Sequence, residues 1–172
     1  EAAFDWSGYA VSISADGTTV AIGATGNDGN GSYSGHVRVF NLAGSEWQQL
    51  GQDIDGEAAG DRSGVSVSLS ADGTTVAIGA DTNGGGGVHS GHVRVYTFVG
   101  INGWQQIGQD IDGEAAGARS GQSVSLSADG TTVAIGASQC GNEIDSGYVQ
   151  VYHLDVSGSS LSWVQVGNYI DG

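Results

Sequence analysis

Three features of the chain predict an all-β fold made of repeated units. One stretch is written three times: SGYAVSISADGTTVAIGA at residues 7–24, SGVSVSLSADGTTVAIGA at 63–80 and SGQSVSLSADGTTVAIGA at 120–137. The copies lie 56 and 57 residues apart, so three units account for all 172 residues. A period of this size marks a supersecondary module that buries its faces against its neighbours. The runs within each unit are short, β-branched and Gly-rich, a composition that disfavours helix. Asp-Gly pairs split each copy at Asp16-Gly17, Asp72-Gly73 and Asp129-Gly130, and Asp-Gly supplies the positive φ that tight hairpins require.

Each unit holds four β-type runs. They are Tyr9–Ser14, Thr19–Ala24, His36–Leu42 and Trp47–Ile54 in the first unit, and Val65–Ser70, Thr75–Ala80, His92–Phe98 and Trp104–Ile111 in the second. In the third they are Gln122–Ser127, Thr132–Ala137, Tyr148–Leu154 and Trp163–Ile170. The first two runs make the Asp-Gly hairpin. The second, TVAIGA, lacks polar alternation and is expected to pack on both faces. Its glycines Gly23, Gly79 and Gly136 allow another sheet to come close. The third run alternates, with Val37, Val39, Val93 and Val95 on one side and Arg38 and Arg94 on a partly exposed one. The fourth opens on Trp47, Trp104 or Trp163 and continues polar, as an outer strand whose Trp covers the edge.

A gradient from apolar inner strands to a polar outer one is that of a four-stranded antiparallel propeller blade with its first strand near the axis. A parallel β-helix would need shorter repeats without Asp-Gly hairpins, and a β-sandwich would not need near-identical units. The blades are expected at 1–56, 57–113 and 114–172. Propellers close with four to eight blades, so three leave two open edges. The internal joints read IDGEAA at Ile54–Ala59 and Ile111–Ala116. The last residues, Ile170-Asp171-Gly172, set before Glu1-Ala2-Ala3, rebuild that joint. Two copies meeting head to tail would therefore form a six-bladed ring; otherwise the blades belong to a larger propeller or an open array.

The chain has 32 Gly, no Pro, four Arg as its basic residues, and a formal charge of −15. So negative a surface repels phosphate backbones and anionic membranes, which argues against nucleic acid and membrane insertion as partners. It suits divalent cations or a basic partner. Cys140 stands alone and can form no intrachain disulfide.

The runs SxSADGTTVAIGA, SGHVRVY and WQQLGQDIDGEAAGDRSG resemble the FG-GAP repeat, which builds the β-propeller of integrin α subunits and of secreted or surface proteins of marine microbes and algae. The resemblance spans the whole chain. It implies a propeller, an extracellular or cell-surface setting, and adhesion or assembly. Family members often carry a DxDxDG calcium loop in the first hairpin. Here that hairpin holds one carboxylate per blade, at Asp16, Asp72 and Asp129, too few to enclose Ca²⁺, so the usual calcium site is not carried over.

The acidic joints are the best metal candidates: Asp53, Asp55, Glu57 and Asp61 in one, Asp110, Asp112 and Glu114 in the other. Acidic residues spaced around a Gly could coordinate Ca²⁺; the competing reading is a strand connector anchored by Ile54 and Ile111. The loops Thr25–Ser34, Asp81–Ser90 and Ser138–Ser146 vary most, and variable loops on a fixed scaffold carry binding surfaces. Asn27, Asp28, Asn30 and Tyr33, with Asn142, Glu143 and Asp145, are the candidate ligand or partner residues. Asn30-Gly31-Ser32 is an N-glycosylation pattern. His36 and His92 are expected to be structural surface residues, and His89 and His153 have no partner pattern. No nucleophile elbow, phosphate loop or dinucleotide fingerprint is present. The chain is thus expected not to be an enzyme but an adhesion or assembly module binding other copies of itself, surface proteins or glycans. A carbohydrate-binding propeller is the alternative.

Overall fold

The computed structural model describes residues 2–138 and 146–171. The described residues form three antiparallel sheets, one per repeat, and a single 3-10 turn at Gly100–Asn102. The first sheet contains β1 (Ser7–Ile13), β2 (Thr19–Ala24), β3 (His36–Ala43), β4 (Glu46–Gln49) and the two-residue β5 (Ile54–Asp55). The second contains β6 (Ser66–Leu69), β7 (Thr75–Ala80), β8 (His92–Phe98), β9 (Trp104–Gln106) and β10 (Ile111–Asp112). The third contains β11 (Ser120–Leu126), β12 (Thr132–Ala137), β13 (Tyr148–Asp155), β14 (Ser162–Gln165) and β15 (Ile170–Asp171). Each sheet is a propeller-like blade, a path of four antiparallel strands with a fifth short strand paired beside it on the third, and the blades do not close into a barrel. The first strands lie side by side. Leu69 N donates to Ser12 Oγ at 2.9 Å, and Leu126 N to Ser68 Oγ at 2.9 Å.

The hairpins form at the Asp-Gly pairs. Asp16 Oδ1 accepts from Ser14 Oγ at 2.6 Å and from Thr18 N at 2.9 Å, and Asp72 and Asp129 repeat the pattern. Those hydrogen bonds, the serine hydroxyl's first, favour the ionised carboxylate. They hold Asp16 and Asp72 below the usual carboxylate range and Asp129 down at about 2.

The fourth run differs from expectation. It is broken in every blade into a strand on the far half of the third strand and a two-residue strand on its near half. The break falls at Gly51, Gly108 and Gly167, all with φ near +75°; such a left-handed residue ends the ladder. Arg94 also departs from expectation: it is buried rather than partly exposed.

The cores lie between blades. Ala21, Val37, Val39 and Ile54 of the first pack against Val67, Leu69, Val76, Ile78, Tyr96 and Trp104 of the second. Ala77, Val93, Val95 and Ile111 of the second pack likewise against Leu126, Val133, Ile135 and Trp163 of the third. Each large apolar side chain so buried contributes about 1.5–3 kcal/mol. The approach is as close as the glycines suggested. A Cβ on Gly23 would collide with the backbone of Gly64, and one on Gly79 with that of Gly121.

The tryptophans do more than cover an edge; they latch adjacent blades. Trp104 Nε1 donates to Leu50 O at 2.7 Å, and Trp163 Nε1 to Ile107 O at 2.8 Å. Both therefore reach back to the preceding blade, where Gly51 and Gly108 leave room for the indole.

Candidate functional site

The acidic joints gather around the histidines at the start of the third strands. His92 opens β8, and Asp112 of β10 is its cross-strand partner. Its ring Nδ1 lies 3.9 Å from Glu57 Oε2, 3.9 Å from Asp110 Oδ2 and 4.0 Å from Asp112 Oδ1. These gaps are too wide for hydrogen bonds. The ring is 2% exposed, so the expectation of a surface histidine is corrected: the next strand and the joint enclose it. Burial first, then the Arg94 guanidinium, hold its pKa below the ordinary histidine value, while Asp110, Glu57 and Asp61 pull the other way.

The far oxygens of two of these carboxylates are tethered. Gln106 Nε2 donates to Asp110 Oδ1 at 2.6 Å. Arg94 Nη1 lies 3.4 Å from Glu57 Oε1, and its Nη2 donates to Asp55 O at 2.9 Å. Glu57, His92 and Asp110 thus form a group able to hold a metal ion, each offering a ligand atom within 4.8 Å of the others. The nitrogen was missed in the sequence because equivalent positions on different blades were compared with one another, whereas the convergence is within one blade and its joint.

The first blade repeats part of this set, with His36 Nδ1 at 3.6 Å from Asp53 Oδ2 and 3.9 Å from Asp55 Oδ1. Asp53 Oδ1 accepts from Gln49 Nε2 at 2.6 Å. In the third blade Tyr148, Gln150 and Tyr169 stand where the second has His92, Arg94 and Asp110. There Glu114 accepts from Gln150 Nε2 at 3.0 Å and from the Tyr169 hydroxyl. That second bond pushes the phenol pKa up to about 12. Asp61 is spent differently: its Oδ2 accepts from Ala58 N and Asn83 Nδ2, both at 3.0 Å, which closes the connector.

A second charged centre was not foreseen. Asp81 is 2% exposed, with Arg62 Nη1 3.8 Å from its Oδ1 and Arg119 Nη1 3.5 Å from its Oδ2. The two arginines come from the joints on either side of the blade, both in the left-handed region at φ 58° and 56°. The signal available was a carboxylate at Asp81 where the other repeats have Thr25 and Ser138.

Of the loop candidates, Asn27, Asp28 and Tyr33 line an open pocket of about 360 Å³ with Phe4 and Asp5. Asn27 Nδ2 donates to Asp5 Oδ2 at 3.3 Å, and Asp28 Oδ1 accepts from Tyr33 N at 2.9 Å. Tyr33 packs against Trp6 with ring centroids 5.8 Å apart and the planes tilted by 55°; both rings are about half exposed. Asn30 is exposed, but its Nδ2, the atom a glycan would take, donates to Gly56 O at 2.9 Å. Asn142, Glu143, Asp145 and Cys140 lie outside the described residues. No helix among the described residues is long and apolar enough to cross a membrane.

Residues 1–40 match the FG-GAP repeat family. No curated protein matches the chain. Among solved structures, a candidate 6-phosphogluconolactonase from Bacteroides uniformis aligns over 93% of the chain at 15% identity with a TM-score of 0.56. The periplasmic gluconolactonase PpgL of Pseudomonas aeruginosa aligns over 76% at 22% identity with a TM-score of 0.45. The chain spans only 40% and 34% of these two proteins. The first likeness shows the fold. It also overturns the expectation that the chain is not an enzyme, because a neighbour of the same fold is named for a catalytic activity.

Proposed function

We propose, from the premise of FG-GAP-type blades, that the chain is an extracellular assembly and adhesion module that joins other copies of itself through its two end faces. The observation that carries this reading is that each end face repeats one half of an interface already formed inside the chain. On the first blade, Val11, Ile13 and Trp47 are exposed where their counterparts Val67, Leu69 and Trp104 are buried. Trp47 lines an open apolar cleft of about 390 Å³ with Val20, Ile22 and Phe40. On the third blade Ile170 is exposed where Ile54 and Ile111 are buried. Gly167, the counterpart of Gly51 and Gly108, has open space beside it. Exposed apolar faces of this extent mark interaction surfaces.

A second copy would seat Trp47 against Gly167 and hydrogen-bond its indole to the carbonyl of Val166, the counterpart of Leu50 and Ile107. Such a contact is heterologous, so it closes a ring or propagates as an array according to the rotation per blade. Light scattering on a size-exclusion column tests it. A mass of two or more chains is expected, falling to one chain in Trp47→Ala. A one-chain mass for the unaltered protein at micromolar concentration would sink the assembly.

A second reading, carbohydrate binding, is favoured by the half-exposed, tilted Trp6–Tyr33 pair beside Asp5, Asn27 and Asp28. Aromatic faces next to carboxylates and amides suit sugar rings, whose one side is apolar and whose hydroxyls need acceptors. Retention on a glycan array that disappears in Trp6→Ala supports it; an array without retention removes it.

A further inference from the structure

The geometry points to a divalent transition-metal site of the zinc type at the start of β8, where Glu57 from the joint before the second blade and Asp110 from the joint after it meet His92, with these three side chains as ligands. Three independent observations meet there. The first is the spacing. His92 Nδ1 stands 3.9 Å from Glu57 Oε2 and from Asp110 Oδ2, too far for a hydrogen bond. Two ligand bonds of about 2.1 Å, meeting at a tetrahedral or wider angle, span roughly 3.4–4 Å. The second is the imidazole. It is 98% buried (2% exposed) and aims its nitrogen into the gap between carboxylates. An imidazole donor among carboxylates suits zinc-type ions, whereas Ca²⁺ takes oxygen alone.

The third is the outer support. Asp110 Oδ1 is held by Gln106 and Glu57 Oε1 by Arg94. Each carboxylate thus keeps its other oxygen for the gap, the arrangement by which partners behind a ligand orient it. Charge agrees. Glu57, Asp110 and Asp112 face the ring together with one guanidinium, that of Arg94, a local excess of negative charge that a dication offsets.

The third blade is an internal control. Its joint keeps the glutamate as Glu114, but Gln150 and Tyr169 occupy that carboxylate and Tyr148 replaces the imidazole. The exchange removes the nitrogen ligand and the second carboxylate together, so this joint is closed by hydrogen bonds rather than by a cation.

Zn²⁺ alone, titrated calorimetrically into untagged, chelator-treated protein at neutral pH, tests the assignment. The unaltered chain is expected to bind Zn²⁺ and to melt at a higher temperature with it. One equivalent is lost, or weakened at least tenfold, in His92→Ala. Since a cavity at a buried residue endangers folding, Glu57→Gln and Asp110→Asn, at half-exposed positions, provide the parallel measurement, with the same loss of one equivalent expected. Tyr169→Phe in the third blade is expected to leave zinc binding unchanged. Absence of Zn²⁺ binding by the unaltered chain, or undiminished binding by folded Glu57→Gln and Asp110→Asn, overturns the site.

Discussion

Trp104 and Trp47 hold the same place in neighbouring repeats, yet one is 4% exposed and the other 47%. Their strands are alike, with VRVF and VRVY on the preceding strand and Gln-Gln after both, although the connections between, NLAGSE and TFVGING, differ. The difference is a neighbour: Trp104 has a blade before it and Trp47 has none among the described residues. The second strands show the same contrast. Every residue of β7 is buried, whereas β2 and β12 alternate between buried and half-buried along one open face. Burial here is a property of position in the series, superimposed on an almost constant sequence.

The largest way to break this contrast is at the latch. Trp104→Ala should cost about 3–5 kcal/mol, as large-to-small changes of buried aromatics do, because it also strips Leu50 O of its donor. Trp47→Ala should change the melting temperature of the isolated chain little while removing the two-chain mass. Chemical denaturation of both variants at one protein concentration compares them. The glycines come next. Gly79→Ala drives a methyl into the backbone of Gly121 and should cost about 3 kcal/mol, in the manner of overpacked cores. Gly136→Ala meets only the hydroxyl end of Ser123, which can rotate aside, so it should stay within about 1 kcal/mol of neutral, the range of a strand Gly-to-Ala change.

The smallest effect belongs to the hairpins, where position should not matter. Each carboxylate's folded pKa is depressed, that of Asp129 to about 2. The stability they contribute is therefore present above the unfolded value near 3.9 and is lost as pH falls toward about 2. Thermal melts between pH 5 and pH 2 should show this decline. It should be shallower in a combined Asp16→Asn, Asp72→Asn, Asp129→Asn variant. A slope unchanged by the substitutions would place the acid sensitivity in the joints instead.

The repeat, the hairpins and the three TVAIGA strands were legible because their causes are local: Asp-Gly turns, β-branched runs and glycines. The broken fourth strand was not, because WQQLGQDID reads as one polar run until Gly51 takes its left-handed turn. The buried state of His92 and Arg94 was hidden for a different reason. A polar residue at a strand start or in alternation looks solvated unless the joint from the preceding blade, here Glu57 and Asp55, is placed over it. The acidic joint was picked out as a metal candidate from its carboxylates. The nitrogen that distinguishes the second blade from the third lies 18 residues before Asp110 in sequence, and only the pairing of β8 with β10 brings it across.

The direction of the indole hydrogen bonds also sets an order of events during synthesis. Trp104 and Trp163 reach carbonyls 54 and 56 residues upstream, in a blade that has already left the ribosome when the indole emerges. A chain made from its N-terminus can thus fasten each new blade to a finished one without waiting for sequence still to come.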